Sequence, residues 1–188
     1  MPSFDRAELE SMWQAWIDVN KHAQDIGDWS PLAEFYTEDA SYGWMYQPNE
    51  HFMALGRDEI RDWALGFEML GFDGWSYPYV SAVIDEKNGT CVGFWRQVST
   101  VPDPSGAPYE VVGIGGSWFA YAGNRQWQWQ RDFFDMASVT ATIMRVIKDG
   151  NVTPTMQKRF EMVAAGLPGH YSLADLPAPL WPVPVDVS

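Results

Sequence analysis

Between Trp75 and Asp135 the chain reads as four strand-like segments in a row, and that run limits the possible folds more than any other feature. Trp75–Asp85 and Thr90–Val101 flank Lys87-Asn88-Gly89, and Asn-Gly between alternating apolar stretches is a strong hairpin signal. Pro102-Asp103-Pro104-Ser105-Gly106 turns the chain into a long strand, Tyr109–Tyr121, and Gly123-Asn124 turns it into a last one, Gln126–Asp135. Consecutive short connections of this kind build an antiparallel sheet, whose exposed apolar side needs helices to cover it.

The helices lie on either side of that run. Asp5 caps the first and Glu8 closes a capping box. Leu9, Met12, Trp13, Trp16, Ile17, Asn20 and Ala23 then form one stripe, and Gly27 ends it. Ser30-Pro31 starts a short second helix, residues 40–47 read as a first strand, and Arg57 to Glu68 as a third helix. Val139, Ile143, Val146 and Ile147 mark a helix after the strands, and Thr153-Pro154 starts another through Met156, Phe160 and Val163. From Gly166 onward proline recurs, which reads as an extended arm. The expectation is an α+β domain over residues 1–165, a curved antiparallel sheet wrapped on helices, with a proline-rich arm over 166–188.

Charge and composition narrow the function. Twenty-five acidic against 12 basic side chains give a formal charge of −13. That surface repels nucleic acid and anionic membranes, so neither is an expected partner. No leader or spanning segment is visible, and a cytoplasmic location is expected. Cys91 is the single cysteine, with no basic neighbour in sequence, and reads as inert. Three scattered histidines do not make a metal site, so no metal and no cofactor is expected. Gly113-Ile114-Gly115-Gly116 lies inside a strand with no helix after it, so it reads as a bend or close approach and not as a nucleotide loop. Eleven tryptophans, eight tyrosines and ten phenylalanines remain to be explained.

The order of elements resembles the nuclear transport factor 2-like superfamily in its SnoaL-like branch. The resemblance rests on Gly27-Asp28-Trp29, Phe35-Tyr36-Thr37-Glu38-Asp39-Ala40, Gly56-Arg57-Asp58-Glu59-Ile60-Arg61-Asp62-Trp63 and Trp129-Gln130-Arg131-Asp132-Phe133-Phe134-Asp135. It covers roughly residues 8 to 137 and implies a cone with a deep apolar pocket. The superfamily includes isomerases, dehydratases, cyclases, epoxide hydrolases and binding modules, so the reaction must come from the site.

Strand alternation puts Tyr42, Trp44 and Tyr46 on one face of residues 40–47, opposite Ser41, Gly43 and Met45. If the first face lines the pocket, its rings stack on a flat aromatic substrate and Tyr42 orients or protonates an oxygen. Trp75, Tyr77, Tyr79, Trp95, Trp127 and Trp129 extend the aromatic set, some of them facing outward; Tyr77 and Trp95 are the chosen substrate contacts. The scytalone dehydratase branch implies an acid–base role for Asp25, although Gln24, Trp44 and Trp95 stand where that branch has Tyr, Tyr and His. The ketosteroid isomerase pattern lacks its base, because Ser41-Tyr42-Gly43-Trp44 holds no carboxylate. The limonene epoxide hydrolase pattern is half present: Arg131-Asp132-Phe133-Phe134-Asp135 matches and makes Asp132 a candidate base, but Arg96-Gln97-Val98 lacks the second acid. His51, in the Gln47–Leu55 segment read as a mouth loop, suits acid–base work near neutral pH. Arg61 and Arg96 could offset a carboxylate or phenolate.

Two readings follow. One is a cofactor-independent lyase that dehydrates or deformylates a hydroxylated aromatic molecule such as a lignin-derived dimer, similar in character to the diarylpropane γ-formaldehyde lyases of the superfamily; an isomerase or cyclase on a polycyclic substrate is its variant. The other is a non-catalytic ligand-binding or assembly module. Both expect a homo-oligomer, dimer or trimer, because a sheet with tryptophan on both faces needs cover.

Overall fold

A computed structural model describes residues 4–182. Helix α1, Arg6–Ile26, starts where the Asp5 carboxylate accepts the Ala7 N–H and ends at Gly27, whose left-handed φ of 67° lets its N–H turn back to Ala23 and Gln24 carbonyls. Its buried stripe (Leu9, Met12, Trp13, Trp16, Asn20, Ala23) is the one the spacing predicts. Ser30–Phe35 forms a 3-10 turn whose N-cap position is Trp29, not Ser30, and the Asp28 carboxylate accepts the Ser30 N–H at 2.9 Å at its start. Strand β1 spans Tyr36–Gln47 and β2 Glu50–Leu55. Helix α2, Gly56–Glu59, continues as a π-helix over Ile60–Phe67. There follow β3 (Trp75–Ser76), β4 (Tyr79–Asp85), β5 (Thr90–Pro102), β6 (Pro108–Gly123), β7 (Gln126–Phe133), α3 (Met136–Lys148), α4 (Pro154–Ala165) and β8 (His170–Ser172).

The eight strands make one sheet in the order β3-β5-β6-β7-β1-β2-β8, with β4 also paired to β5. Every pairing is antiparallel except β1 with β7, which is parallel, so the sheet is mixed. This pairing brings the two ends of the fold together. Trp44 lies opposite Asp132 and Tyr42 opposite Gln130. The inner face packs on α1, the 3-10 turn and α2 around Trp16, Tyr36, Phe119 and Trp127. A smaller cluster of Trp75, Tyr109, Val111, Val146 and Met156 holds α3 and α4 against one end.

One expectation needs correction. Residues 50–55 are a strand, not a mouth loop, because Gln47 and Glu50 pair across a tight hairpin. The segment after Gly166 lies against the sheet: β8 pairs with β2, and the Pro179 carbonyl accepts a 2.8 Å bond from Arg131 on the outer face. Trp181 meets Trp118 edge-on there, with ring centroids 6.1 Å apart. Residues 183–188 of the expected arm lie outside the described residues. Among the described residues, no helix is long and apolar enough to cross a membrane.

The glycine cluster is a bend and a close approach. Gly113 takes a φ of 134° where β6 slips against β5, and a Cβ on Gly115 would enter the Trp95 ring. The Trp95 indole is fixed by a 3.0 Å bond from its Nε1–H to Ser117 Oγ and cannot easily retreat. Gly115→Ala should therefore lower stability by about 1–3 kcal/mol, measured by urea unfolding, and blue- or red-shift tryptophan emission.

Candidate active site

The inner face of the sheet and the helices enclose a cavity with about 900 Å³ of space between atoms, its mouth included. Alternate positions of β1 send Tyr42, Trp44 and Tyr46 into it. Trp44 stacks on Phe52 of β2 at 4.2 Å, and Tyr42 meets Trp44 edge-on at 5.4 Å. Tyr77, Tyr79 and Trp95 line the opposite wall, with Trp16 from α1 donating a 3.1 Å bond to Tyr79 Oη. Trp75, Trp127 and Trp129 do not line it; they lie in the small cluster, the main core and the outer face respectively.

At one pole sits Asp132, delivered by β7. Tyr42 Oη–H donates to its Oδ2 at 2.6 Å and Gln130 Nε2–H to its Oδ1 at 2.7 Å. The Gln130 amide oxygen in turn accepts from Tyr36, whose ring stacks on Tyr42. Burial raises the Asp132 carboxyl above the usual aspartate value; Tyr42, Gln130, Ser117 and Arg131 pull it back only in part. The Tyr42 phenol is itself raised well above its ordinary range by burial and by Asp132, so it stays a neutral donor. The pole can therefore both hold a proton and take one.

A second polar pole was not expected. The π-turn carries the Glu68 N–H to the Trp63 carbonyl at 2.8 Å, and Glu68 joins the cavity wall, where an α-helical register would point it elsewhere. Arg159 of α4 lines the cavity beside it, donating from Nη2 to Glu68 Oε2 at 2.7 Å and from Nη1 to the Phe67 and Glu68 carbonyls at 2.6 and 2.8 Å. Burial pushes the Glu68 carboxyl up, but His170 and Arg159 outweigh it and leave it below the usual value. The His170 imidazole, 2.7 Å from Glu50 and 3.3 Å from Glu68, is lowered by burial, yet the two carboxylates leave it raised overall. The signals for these residues existed. Glu68 is the one charge in the run Ala64-Leu65-Gly66-Phe67-Glu68-Met69-Leu70, and Arg159 lies three residues after buried Met156, on the same helix face.

Three expected site residues lie elsewhere. Asp25 is exposed in the last turn of α1, which points it to solvent. Arg61 sits at the surface in ion pairs with Asp58 (2.6 Å) and Glu34 (3.2 Å). His51 is buried on the outer face of the sheet, because β2 pairs it with Met45, whose side chain points away from the cavity. Burial and nearby Arg131 lower its pKa, which favours the neutral imidazole. Arg96 pairs with Glu110 at 2.7 Å, away from the cavity. Burial raises the Cys91 thiol to about 12.

No family model matches the sequence, and no curated relative matches it. Solved structures do. PrhC from Penicillium brasilianum superposes with a TM-score of 0.56 at 14% identity, over 81% of this chain and 96% of its own. A Jannaschia sp. CCS1 protein described as a SnoaL-like polyketide cyclase gives 0.55 at 17%, over 73% and 92%. An NTF2-like protein from Anabaena variabilis gives 0.53 at 15%, over 72% and 95%. The chain thus has an α+β fold, a curved sheet wrapped on helices, similar to that of these SnoaL-like and NTF2-like structures.

The raised Asp132 carboxyl has a consequence for stability. A carboxyl whose folded value lies above its unfolded value binds more protons in the folded state. Its stabilising contribution is complete below the ordinary aspartate range near pH ~3.9 and is lost as pH rises through the folded value. Asp132→Asn removes that loss. Wild type should lose stability relative to the variant as pH rises from about 4 to 8, read by paired denaturant titrations.

Proposed function

We propose that the protein is a cofactor-independent enzyme in which Asp132 is the acid–base group and Tyr42 the residue that holds it, acting on a hydroxylated aromatic molecule. The single observation that supports this most is a carboxyl of raised pKa, hydrogen-bonded on both oxygens, facing a cavity walled by aromatic rings. Trp44, Tyr46, Tyr77 and Trp95 are the substrate contacts in this reading; Asp25, His51 and Arg61 have no part in it.

The reaction we favour is a lyase step on a two-ring diol. Protonated Asp132 gives its proton to a benzylic hydroxyl, which leaves as water, and a para-oxygen on the ring shares the positive charge that remains. The Asp132 carboxylate then takes the proton of the neighbouring hydroxymethyl O–H. Its electron pair becomes the C=O of departing formaldehyde, and the broken C–C bond supplies the new C=C. Asp132 ends as it began. Dehydration alone follows if the carboxylate takes a C–H proton instead. The likeness of fold to the Jannaschia protein favours a second reading, an isomerase or cyclase in which the same carboxyl moves a proton and no fragment leaves. A homo-oligomer is part of the proposal, since Val83, Val112, Ile114 and Phe133 are exposed on the sheet.

The assay follows formaldehyde and stilbene release from 1,2-bis(4-hydroxy-3-methoxyphenyl)propane-1,3-diol. Asp132→Asn should lower kcat by roughly 10²–10⁴-fold and Tyr42→Phe by less, while Asp25→Asn and Arg61→Gln leave it unchanged. Rearranged product of unchanged mass would favour the isomerase. Ligand binding without any turnover would favour a binding module, and full activity in Asp132→Asn would remove the carboxyl from the mechanism.

A further inference from the structure

We infer that the Arg159–Glu68 pair is a specificity site for an uncharged hydroxyl group at the far end of the substrate, and that it turns away carboxylated analogues. The inference rests on the reading above, in that it takes the cavity to be a substrate pocket.

The argument begins with the charges on the wall. Arg159 is the one cation among the described residues lining the cavity, and its charge is already matched. Glu68 bonds it directly at 2.7 Å, and behind Glu68 stands His170, shared with Glu50. Two carboxylates thus face one fixed cation and one imidazole. With His170 protonated the cluster is neutral; with His170 neutral it carries one negative charge. Asp132, at the other pole, adds either no charge or another negative one. A bound carboxylate would give up its hydration and meet no unmatched positive charge at either pole.

A hydroxyl fits where a carboxylate does not. Arg159 has five N–H donors, and the three described bonds leave donors over. Glu68 accepts one bond on each oxygen, from His170 on Oε1 and Arg159 on Oε2, and an ionised carboxylate can accept about four. A phenol can therefore donate to Glu68 and accept from Arg159 at once. A methoxy group or ketone could use only the arginine, and a carboxylate would repel Glu68. Tyr46 flanks the site: its ring packs edge-on against His170 at 4.5 Å, and it lines the same cavity as Arg159 and Glu68. A phenol held by Glu68 is also more electron-rich, which is what a departing benzylic hydroxyl requires of a para-oxygen.

Calorimetric titration tests this without turnover. The probes are 4,4′-dihydroxybibenzyl, its 4-hydroxy-4′-carboxy analogue, and unsubstituted bibenzyl, at pH 7.5. Wild type should bind the dihydroxy probe at least roughly tenfold more tightly than the carboxylated one. Glu68→Gln should bring the two within about threefold by improving the carboxylate. Glu50→Gln, at a half-exposed position off the cavity wall, should shift the ratio the same way by roughly twofold, and covers the case in which Glu68→Gln unfolds. Arg159→Gln should weaken the dihydroxy probe roughly tenfold and leave bibenzyl unchanged. Equal binding of the two polar probes by wild type, or a ratio indifferent to both glutamate variants, overturns the inference. If that happens while the diol is still turned over, only this inference falls. If the preference holds but no diol is consumed, the lyase reading falls and the specificity site stands.

Discussion

The parallel pairing of β1 with β7 is the contact on which the site depends. It joins the first strand to the last of the four-strand run and closes the curve of the sheet around α1. It also sets the register. With Tyr42 beside Gln130 and Trp44 beside Asp132, one face of two neighbouring strands carries the carboxyl, its phenol donor and its amide donor together. A slip of one residue would send that whole set to the outer face. Tyr36, fully buried and bonded to Gln130, anchors the same arrangement from the start of β1.

Much of this was legible in the sequence, and the exceptions have physical causes. Asp5, Gly27, Asn88-Gly89 and Thr153-Pro154 act locally, so turn and cap chemistry reveals the elements they bound. Alternation placed Tyr42, Trp44 and Tyr46 on one face but could not say which face was inner; only α1 packing decides that. His51 shows the limit most clearly. Pro48-Asn49 is a turn signal, but Glu50–Leu55 lacks the polar–apolar alternation of a strand, so β2 is hidden, and with it the inversion that buries His51 on the outer face. Asp25 and Arg61 come from motifs whose local backbone is as expected but whose side chains point to solvent. Glu68 depends on a π-turn, and His170 on a strand that pairs only because β2 exists. Neither register is written in a periodicity that can be read in advance.

The aromatic excess is accounted for by two different demands. Trp16, Trp29, Trp44, Trp95, Tyr42, Tyr46, Tyr77 and Tyr79 line the cavity, while Trp118 and Trp129 meet edge-on on the outer face beneath the C-terminal segment. The cavity itself combines flat apolar walls with two polar poles of different character. Asp132 is a carboxyl that burial inclines toward its neutral form; Glu68 is one that His170 and Arg159 hold ionised. Environments that push two carboxyls of one pocket in opposite directions let the same cavity exchange protons at one end and recognise a hydroxyl at the other.

The central claim is that Asp132 is a buried acid–base group tuned by Tyr42. The most direct measurement is the titration of its carboxyl carbon by NMR in protein carrying ¹³C-labelled aspartate, assigned by difference with Asp132→Asn. The account predicts a midpoint above the ordinary aspartate value near ~3.9, and a further rise in Tyr42→Phe, because the phenol bond favours the ionised form. A midpoint at or below the ordinary value, unmoved by Tyr42→Phe, would contradict it.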